Sequence, residues 1–205
     1  MTHASRFSSA KPVSFLGGDG ELVAGLKAAN PAAQQAFFGR YARFVERLLL
    51  GVLGPDADLG DVMQDTFMAA FRQITNLRSA EALTEWLRTI AVGVAQNRIR
   101  SRTRNRWLLF FAPEQLPDVP LLPARAEATQ ALRAVYAVLD QMPAHERVVF
   151  ALRHIEDMTV PEIAAATKVS ESTVKRRLQQ AERLFDDGKY KHPALADWVA
   201  GMEAS

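Results

Sequence analysis

TVPEIAAATKVSESTVKRRL, at residues 159–178, predicts two short helices joined by a tight turn. Thr159 followed by Glu162 is a capping-box pattern, which starts a first helix that ends near Thr167. Ser170 is predicted to be the N-cap of the second helix. Such a pair is typical of a helix-turn-helix, whose second helix enters the major groove of DNA. The alternative is a helical hairpin with no role at DNA.

The residues near the turn suit a close crossing of these two helices. Ala164 and Ala165 are small, and Lys168 occupies the turn, where glycine is favoured because it adopts left-handed backbone without strain. The apolar contacts behind the crossing are predicted for Ile163, Val169, Val174 and Leu178. The other side chains of the second helix are available to phosphates or base edges. These candidate DNA-binding residues are Ser172, Thr173, Lys175, Arg176, Arg177, Gln179 and Gln180.

Helical spacing also dominates the rest of the chain. Apolar residues recur at every third or fourth position, which is the spacing of one buried helix face. They are Phe37, Tyr41, Phe44, Val45, Leu48, Leu49 and Val52, then Met63, Phe67, Ala70, Phe71 and Ile74, then Leu83, Leu87, Ile90 and Val94. Asn30 before Pro31 predicts one helix start, and Asp58 is predicted to cap another. Since no segment alternates as a strand does, we predict an all-α fold.

A proline-rich segment divides the chain. Residues 107–125 hold four of the ten prolines, and this spacing favours extended backbone and predicts a non-helical linker between two helical domains. The apolar segment 107–111 at its start has no assigned role, and a short helix is predicted at 194–202. The predicted organisation is an N-terminal extension at 1–18, a first domain at 19–106, a linker at 107–127, a second domain at 128–187 and a C-terminal tail at 188–205.

The composition argues against an enzyme. The 205 residues include no cysteine, which excludes a disulfide framework, a thiolate zinc site and a cysteine nucleophile. The four histidines lack metal-ligand spacing, residues 17–20 are not followed by the Lys-Ser/Thr of a phosphate loop, and residues 56–67 lack the glutamate of a calcium loop. We therefore expect no enzymatic activity, no metal and no cofactor. The lack of a long apolar run or a secretion signal favours a cytoplasmic protein without a membrane span.

The net charge of +2 averages over three charged segments. Asp56, Asp58, Asp61 and Asp65 lie within ten residues that contain no lysine or arginine, whereas residues 98–106 hold five arginines and no acid. The second helix of the helix-turn-helix is the third segment and is basic. An acidic helix start and a solvated basic helix end are the ordinary interpretations. Five arginines without counter-charge repel one another unless a polyanion is near, so the arginine run favours phosphate binding.

Taken in order, these motifs resemble a bacterial RNA polymerase sigma factor of the extracytoplasmic-function (ECF) group of the sigma-70 family. Residues 22–26 and 36–41 resemble the opening of sigma region 2, residues 58–67 its core-binding helix and residues 85–106 its promoter-melting helix. Residues 139–153 and the helix-turn-helix resemble sigma region 4. The resemblance implies a factor that binds core RNA polymerase, recognises the −35 and −10 promoter elements and melts DNA to initiate transcription.

The resemblance also implies roles for individual residues. Core-polymerase binding falls to Asp61, Gln64, Asp65 and Phe67. Binding and melting of the −10 element fall to Trp86, Asn97, Arg98, Arg100, Arg102 and Arg104, and the −35 element to the helix-turn-helix residues named above. The apolar spacing of its neighbours Leu87 and Ile90 favours a place in the core for Trp86 over a role in stacking. The implied partners are core RNA polymerase, double-stranded and melted promoter DNA, and an anti-sigma factor. A helix-turn-helix regulator that does not engage core polymerase is the alternative.

Overall fold

Helix-start signals in the sequence mark where helices begin. The computed structural model describes residues 18–55, 58–108, 123–192 and 195. Asn30 Oδ1 accepts a hydrogen bond from the Ala32 backbone N–H at 2.8 Å, and Pro31 is the first helical residue after it. The described residues form helices and no strand, which confirms the all-α prediction. The helices are α1 (Asp19–Lys27), α2 (Pro31–Leu53), α3 (Leu59–Gln73), α4 (Leu83–Leu108), α5 (Pro123–Leu139), α6 (Ala144–His154), α7 (Val160–Thr167) and α8 (Glu171–Lys189), with 3-10 turns at Ile74–Asn76 and Ala80–Ala82.

The helix-turn-helix prediction is confirmed in α7 and α8. The Thr159 backbone N–H donates to Glu162 Oε2 at 2.7 Å, which is one half of the predicted capping box. Ser170 Oγ accepts from the Thr173 backbone N–H at 3.3 Å and so caps α8. Lys168 ends α7 with a φ of 55°, so a lysine holds the left-handed conformation that glycine adopts more readily.

The predicted helix start at Asp58 is confirmed, but the capping role predicted for its side chain is wrong. The residue stands at the N-cap position, but its carboxylate makes no capping hydrogen bond. It pairs instead with Arg98, and Arg102 Nη2 lies 3.8 Å from its Oδ2. A guanidinium is a stronger partner for a carboxylate than a backbone N–H, because the attraction is then between two full charges.

The first four helices pack around Phe37, which is fully buried. Its ring meets the Phe67 ring edge-on at 5.6 Å between centroids and lies 5.1 Å from the Tyr41 ring. The predicted apolar faces of α2, α3 and α4 all contribute to this cluster. Their polar faces are therefore fixed towards solvent.

The second half of the chain packs partly on itself and partly on the first half. Phe150 of α6 stacks on Phe185 of α8 at 4.8 Å, and Leu195 is buried in the same small cluster. Leu152 of α6 and Ile163 of α7 belong instead to the apolar cluster of α2, α3 and α4. Helices α6 and α7 accordingly contact α4.

Both ends of the predicted linker are helical, which corrects the prediction of non-helical backbone at 107–125. Helix α4 continues to Leu108 and α5 begins at Pro123, where a helix needs no backbone N–H donor. Residues 109–122, most of the N-terminal extension, and the helix predicted at 194–202 except for Leu195 lie outside the described residues. The domain bounds remain a prediction. None of the described helices is both long and apolar enough to cross a membrane.

Candidate functional site

Helix α3 presents a polar, acidic face to solvent. Because Val62 and Phe67 point into the core, the exposed Asp61, Gln64 and Asp65 share the opposite side at spacings of three and four residues. Asp61 lies in the first turn, where a carboxylate complements the positive end of the helix dipole. Three of the four residues predicted to bind polymerase are thus brought together, whereas the Phe67 side chain is buried and only 3% exposed.

Phe67 instead forms part of an apolar pocket of about 360 Å³ between α2 and α3. The pocket is lined by Phe38, Gly60, Met63, Gln64, Phe67, Met68 and Phe71. Phe38 and Met68 are 49% and 47% exposed, which is unusual for such apolar side chains. Neither was predicted from the sequence, although each directly follows a core residue, Phe37 or Phe67. One residue later on a helix points about 100° away from the core face, since 3.6 residues complete a turn.

The arginines near the end of α4 separate into two groups. Arg98 and Arg102 lie beside Asp58, which pairs with the first and is 3.8 Å from the second. Arg100 reaches the other way, and its Nη2 lies 2.6 Å from Nε2 of His145 on α6. Asn97 and Arg104, which are also predicted to bind DNA, are exposed on the same helix. These four arginines therefore lie on more than one side of α4 and do not form one continuous stripe.

Trp86 is half-buried and packs against the apolar cluster of the first domain. This placement accounts for the apolar spacing of its neighbours Leu87 and Ile90, which are both buried. Part of the indole stays accessible at the start of α4. Its stacking on a base remains a prediction.

His145 connects α6 to the basic end of α4. Gln96 Nε2 lies 2.7 Å from its Nδ1, on the side opposite Arg100. Burial lowers the pKa of His145, and the positive charges of Arg177 and Arg100 lower it further, against a smaller opposing effect of Glu146. The lowered pKa favours the neutral ring, whose unprotonated nitrogen can accept a hydrogen bond from Arg100.

Acidification is expected to destabilise the folded chain through His145. Because the pKa in the folded state lies below the ordinary value of 6.5, the unfolded chain takes up a proton first. Stability is therefore fully present above pH 6.5 and falls as the pH drops through 6.5 towards the folded pKa. Urea unfolding at about pH 7.5 and about pH 5.5 measures this loss. The loss should be smaller in His145→Gln, which cannot titrate, and an identical loss in both proteins would contradict the expectation.

Helix α8 presents most of its predicted DNA-binding residues to solvent. The exposed ones are Ser172, Lys175, Arg176, Gln179 and Gln180. Thr173 and Arg177 are half-buried, and the Thr173 hydroxyl lies 2.9 Å from the Ser170 hydroxyl within the N-cap. Thr173 therefore contributes to the N-cap of α8. The exposed residues named above supply the polar surface that is available to DNA.

Two parts of the chain match regions of one protein family. Residues 37–105 match "Sigma-70 region 2", and residues 132–184 match "Sigma-70, region 4". The first match contains the acidic face of α3 and the arginines of α4, and the second contains the helix-turn-helix. The fold and these surfaces thus define a protein of the transcription-initiation class, as the resemblance implied.

Several relatives match over most of their length. The RNA polymerase sigma-H factor of Pseudomonas aeruginosa is 25% identical over 178 residues, which cover 82% of this chain and 92% of the relative. The ECF RNA polymerase sigma factor SigM of Mycobacterium tuberculosis is 27% identical over 163 residues, which cover 80% of each. A solved structure of CnrH in complex with the cytosolic domain of CnrY shares the fold, with a TM-score of 0.54, 23% identity, and coverage of 82% of this chain and 95% of that one.

The chain therefore belongs to the ECF group of the sigma-70 family. Members of this family are transcription-initiation factors. The comparisons give no support to the alternative of a helix-turn-helix regulator that does not engage polymerase.

Proposed function

We propose that this chain is a promoter-specificity factor that binds core RNA polymerase, recognises the −35 and −10 elements and melts DNA to initiate transcription. One observation carries the proposal: the two matched sigma regions expose acids at one place and basic or polar side chains at two others, namely Asp61 and Asp65 on α3, Asn97, Arg100 and Arg104 near the end of α4, and Lys175 and Arg176 near the start of α8. One surface is complementary to a basic protein and the other to nucleic acid. The free energy of binding to polymerase and DNA would drive the separation of the DNA strands. We therefore propose no enzymatic activity and no cofactor.

The proposed polymerase contact combines charge with a pocket. Asp61 and Asp65 would pair with basic side chains of the polymerase, and Gln64 lies between them on the same face. The apolar pocket beside them would receive an apolar side chain of the partner, as in many stable interfaces. Phe67 supplies a wall of that pocket while its ring stays in the core.

The proposed DNA contacts lie on two helices. The start of α8 would enter the major groove, where Lys175 and Arg176 reach phosphates or guanine edges. The arginines of α4 would hold the phosphates of the separated strand, and Trp86 would offer a stacking surface at the start of the same helix. Such a factor would act in the cytoplasm, where an anti-sigma factor would be a further partner.

In vitro transcription tests this function directly. Purified chain and core polymerase on a genomic template library should yield transcripts that start at a common promoter pattern and depend on the chain. Core polymerase without the chain is the control. If no chain-dependent start sites appear, although the chain is folded, the proposed function is wrong.

Replacing Arg100 and Arg102 by alanine should weaken the salt dependence of open-complex formation. Removing one arginine that binds a phosphate lowers the slope of log affinity against log salt concentration by about 0.7–0.9. Open-complex formation measured between about 50 mM and 200 mM salt gives this slope. Arg43→Ala, an exposed arginine on α2, is the matched control and should leave the slope unchanged. An unchanged slope in the double variant would mean that these arginines only terminate the helix.

A further inference from the structure

Two methionines line the apolar pocket between α2 and α3. Met63 is half-buried and Met68 is 47% exposed, and Gln64 of the acidic face lines the same pocket. Gly60 leaves one end of the pocket open, because a Cβ atom there would meet nothing within 4 Å. Small molecules in solution can therefore reach the thioether of Met68.

The other methionines that the structure describes are buried. The sequence holds six methionines, of which residues 1 and 202 lie outside the described residues. Met142 is 4% exposed in the cluster of α5, α6 and α8, and Met158 is 6% exposed in the larger cluster. The chain has no cysteine, whose thiolate would otherwise react with oxidants first. Within the described residues, accessible sulfur is therefore concentrated at the pocket.

A thioether reacts with a hydroperoxide by transfer of an oxygen atom. The sulfur lone pair attacks one peroxide oxygen, so that a sulfur–oxygen bond forms and the oxygen–oxygen bond breaks. The second oxygen leaves as water when hydrogen peroxide is the oxidant. The sulfur is oxidised, the peroxide is reduced, and methionine becomes methionine sulfoxide. Methionine sulfoxide reductases reverse this change, so the original side chain can be restored.

A sulfoxide at Met68 would change the chemistry of the pocket. Its oxygen is a hydrogen-bond acceptor, whereas the side chains that line the pocket carry no donor apart from the amide of Gln64. The neighbouring carboxylates of Asp61 and Asp65 are acceptors as well. An apolar side chain of a partner would strip water from the sulfoxide oxygen, and burial of a polar group without a partner is costly. Oxidation would therefore oppose the apolar part of the proposed polymerase contact.

We propose that Met68, with Met63 in the same pocket, is a site of reversible oxidation by hydroperoxides, and that the sulfoxide weakens binding of the chain to core polymerase. This inference rests on the proposed function, because the pocket lies in the proposed polymerase contact. The ring of the neighbouring Phe67 packs α3 against the core, so the half-exposed Met68 can become polar without unfolding the helix. The oxidant therefore acts on assembly with polymerase and leaves the helix-turn-helix unchanged.

Oxidation of the isolated chain tests the site. Dilute hydrogen peroxide is applied and then destroyed with catalase before core polymerase is added, so that only the chain is modified. Peptide mass spectrometry should show that Met68 gains one oxygen atom well before Met142 and Met158 do. Equal rates of oxidation at the exposed and the buried methionines of the folded chain would contradict the proposed site.

The affinity for core polymerase tests the consequence. Fluorescence anisotropy of labelled chain should show a loss of about 5-fold to 150-fold after oxidation, which is the range for one buried polar group without a partner. Methionine sulfoxide reductases should restore the affinity. Met63→Leu with Met68→Leu removes both accessible thioethers, so its affinity after peroxide should stay within about twofold of its own untreated value.

Met142→Leu with Met158→Leu is the matched control for the pocket variant. It removes the two buried thioethers and keeps those of the pocket, so peroxide should lower its affinity for core polymerase as much as that of the wild type. Equal losses in the two double variants would overturn the proposal.

Met68→Gln tests the effect of polarity without an oxidant. Glutamine is similar in length to methionine but polar, so the affinity for core polymerase should fall at least about fivefold below that of Met68→Leu. Circular dichroism checks that both variants are folded. Equal affinities of these two variants would overturn the effect of polarity. If the untreated wild-type chain does not bind core polymerase, the proposed function and the effect on binding are both wrong, and the peptide masses still decide the site of oxidation.

Discussion

Replacing Asp61 and Asp65 by lysine is expected to abolish binding to core RNA polymerase. Both carboxylates are exposed on one face of α3 beside the apolar pocket, so two attractive contacts become repulsive at once. Truncating one partner of a close charge pair costs about 2–5 kcal/mol of binding free energy, so reversing two such charges should cost at least about 4 kcal/mol. We therefore expect at least a thousandfold loss of affinity, measured by fluorescence anisotropy of labelled chain titrated with core enzyme.

The fold should survive this change. Neither side chain is buried, and loss of an acid near a helix N-terminus costs only about 0.3–1 kcal/mol. Circular dichroism and the thermal midpoint check this point. Glu21→Lys with Glu46→Lys makes the same charge change at exposed positions of α1 and α2 and should bind normally. Retained affinity in the α3 variant would place the polymerase contact elsewhere.

Arg176→Ala should lower affinity for the −35 duplex by about 5-fold to 150-fold. Arg176 is exposed in the second turn of α8, where a recognition helix approaches base edges. A bidentate contact from arginine to guanine contributes about 1–3 kcal/mol of discrimination. Anisotropy of a labelled duplex gives the affinity, and competition with substituted duplexes shows which base pair loses its preference.

The comparison with Arg183→Ala separates base reading from general electrostatics. Arg183 is exposed on the same helix two turns later, and both variants lose one positive charge. Removal of a phosphate contact weakens binding to all sequences alike, whereas removal of a base contact relaxes specificity at one position. Equal losses in the two variants, without any change of sequence preference, would remove Arg176 from the reading surface.

The helix-turn-helix was predictable because its signals are local. Thr159 with Glu162, and Ser170 with the N–H of Thr173, make their contacts within three residues. Asp58 also carried a local capping signal, but Arg98 lies 40 residues later and competes for the carboxylate. A pattern read within one turn cannot include a partner that only the tertiary fold supplies.

The hydrogen bonds from Tyr136 and Arg147 to the end of α2 were not predictable from the sequence. Tyr136 and Arg147 bind backbone carbonyls, which every residue carries and which therefore leave no mark in a sequence. The glycines opposite them, Gly51 and Gly54, are the only hint, since each leaves room for the second domain. The proposed polymerase-binding surface was partly predictable, because Asp61 and Asp65 followed the helical spacing, whereas Phe38 and Met68 lay off the core face.

Asp58 supplies the arginines of α4 with a counterion that is built into the protein. In the proposed function, a phosphate that binds Arg98 would have to displace this carboxylate, so fewer salt ions would be released than arginines are engaged. The displaced acid then lies close to the polyanion, and this penalty is the same for every DNA sequence. If α4 binds phosphates as proposed, Asp58 would weaken its binding to every DNA sequence alike, and contacts to bases at the promoter would decide where the factor stays.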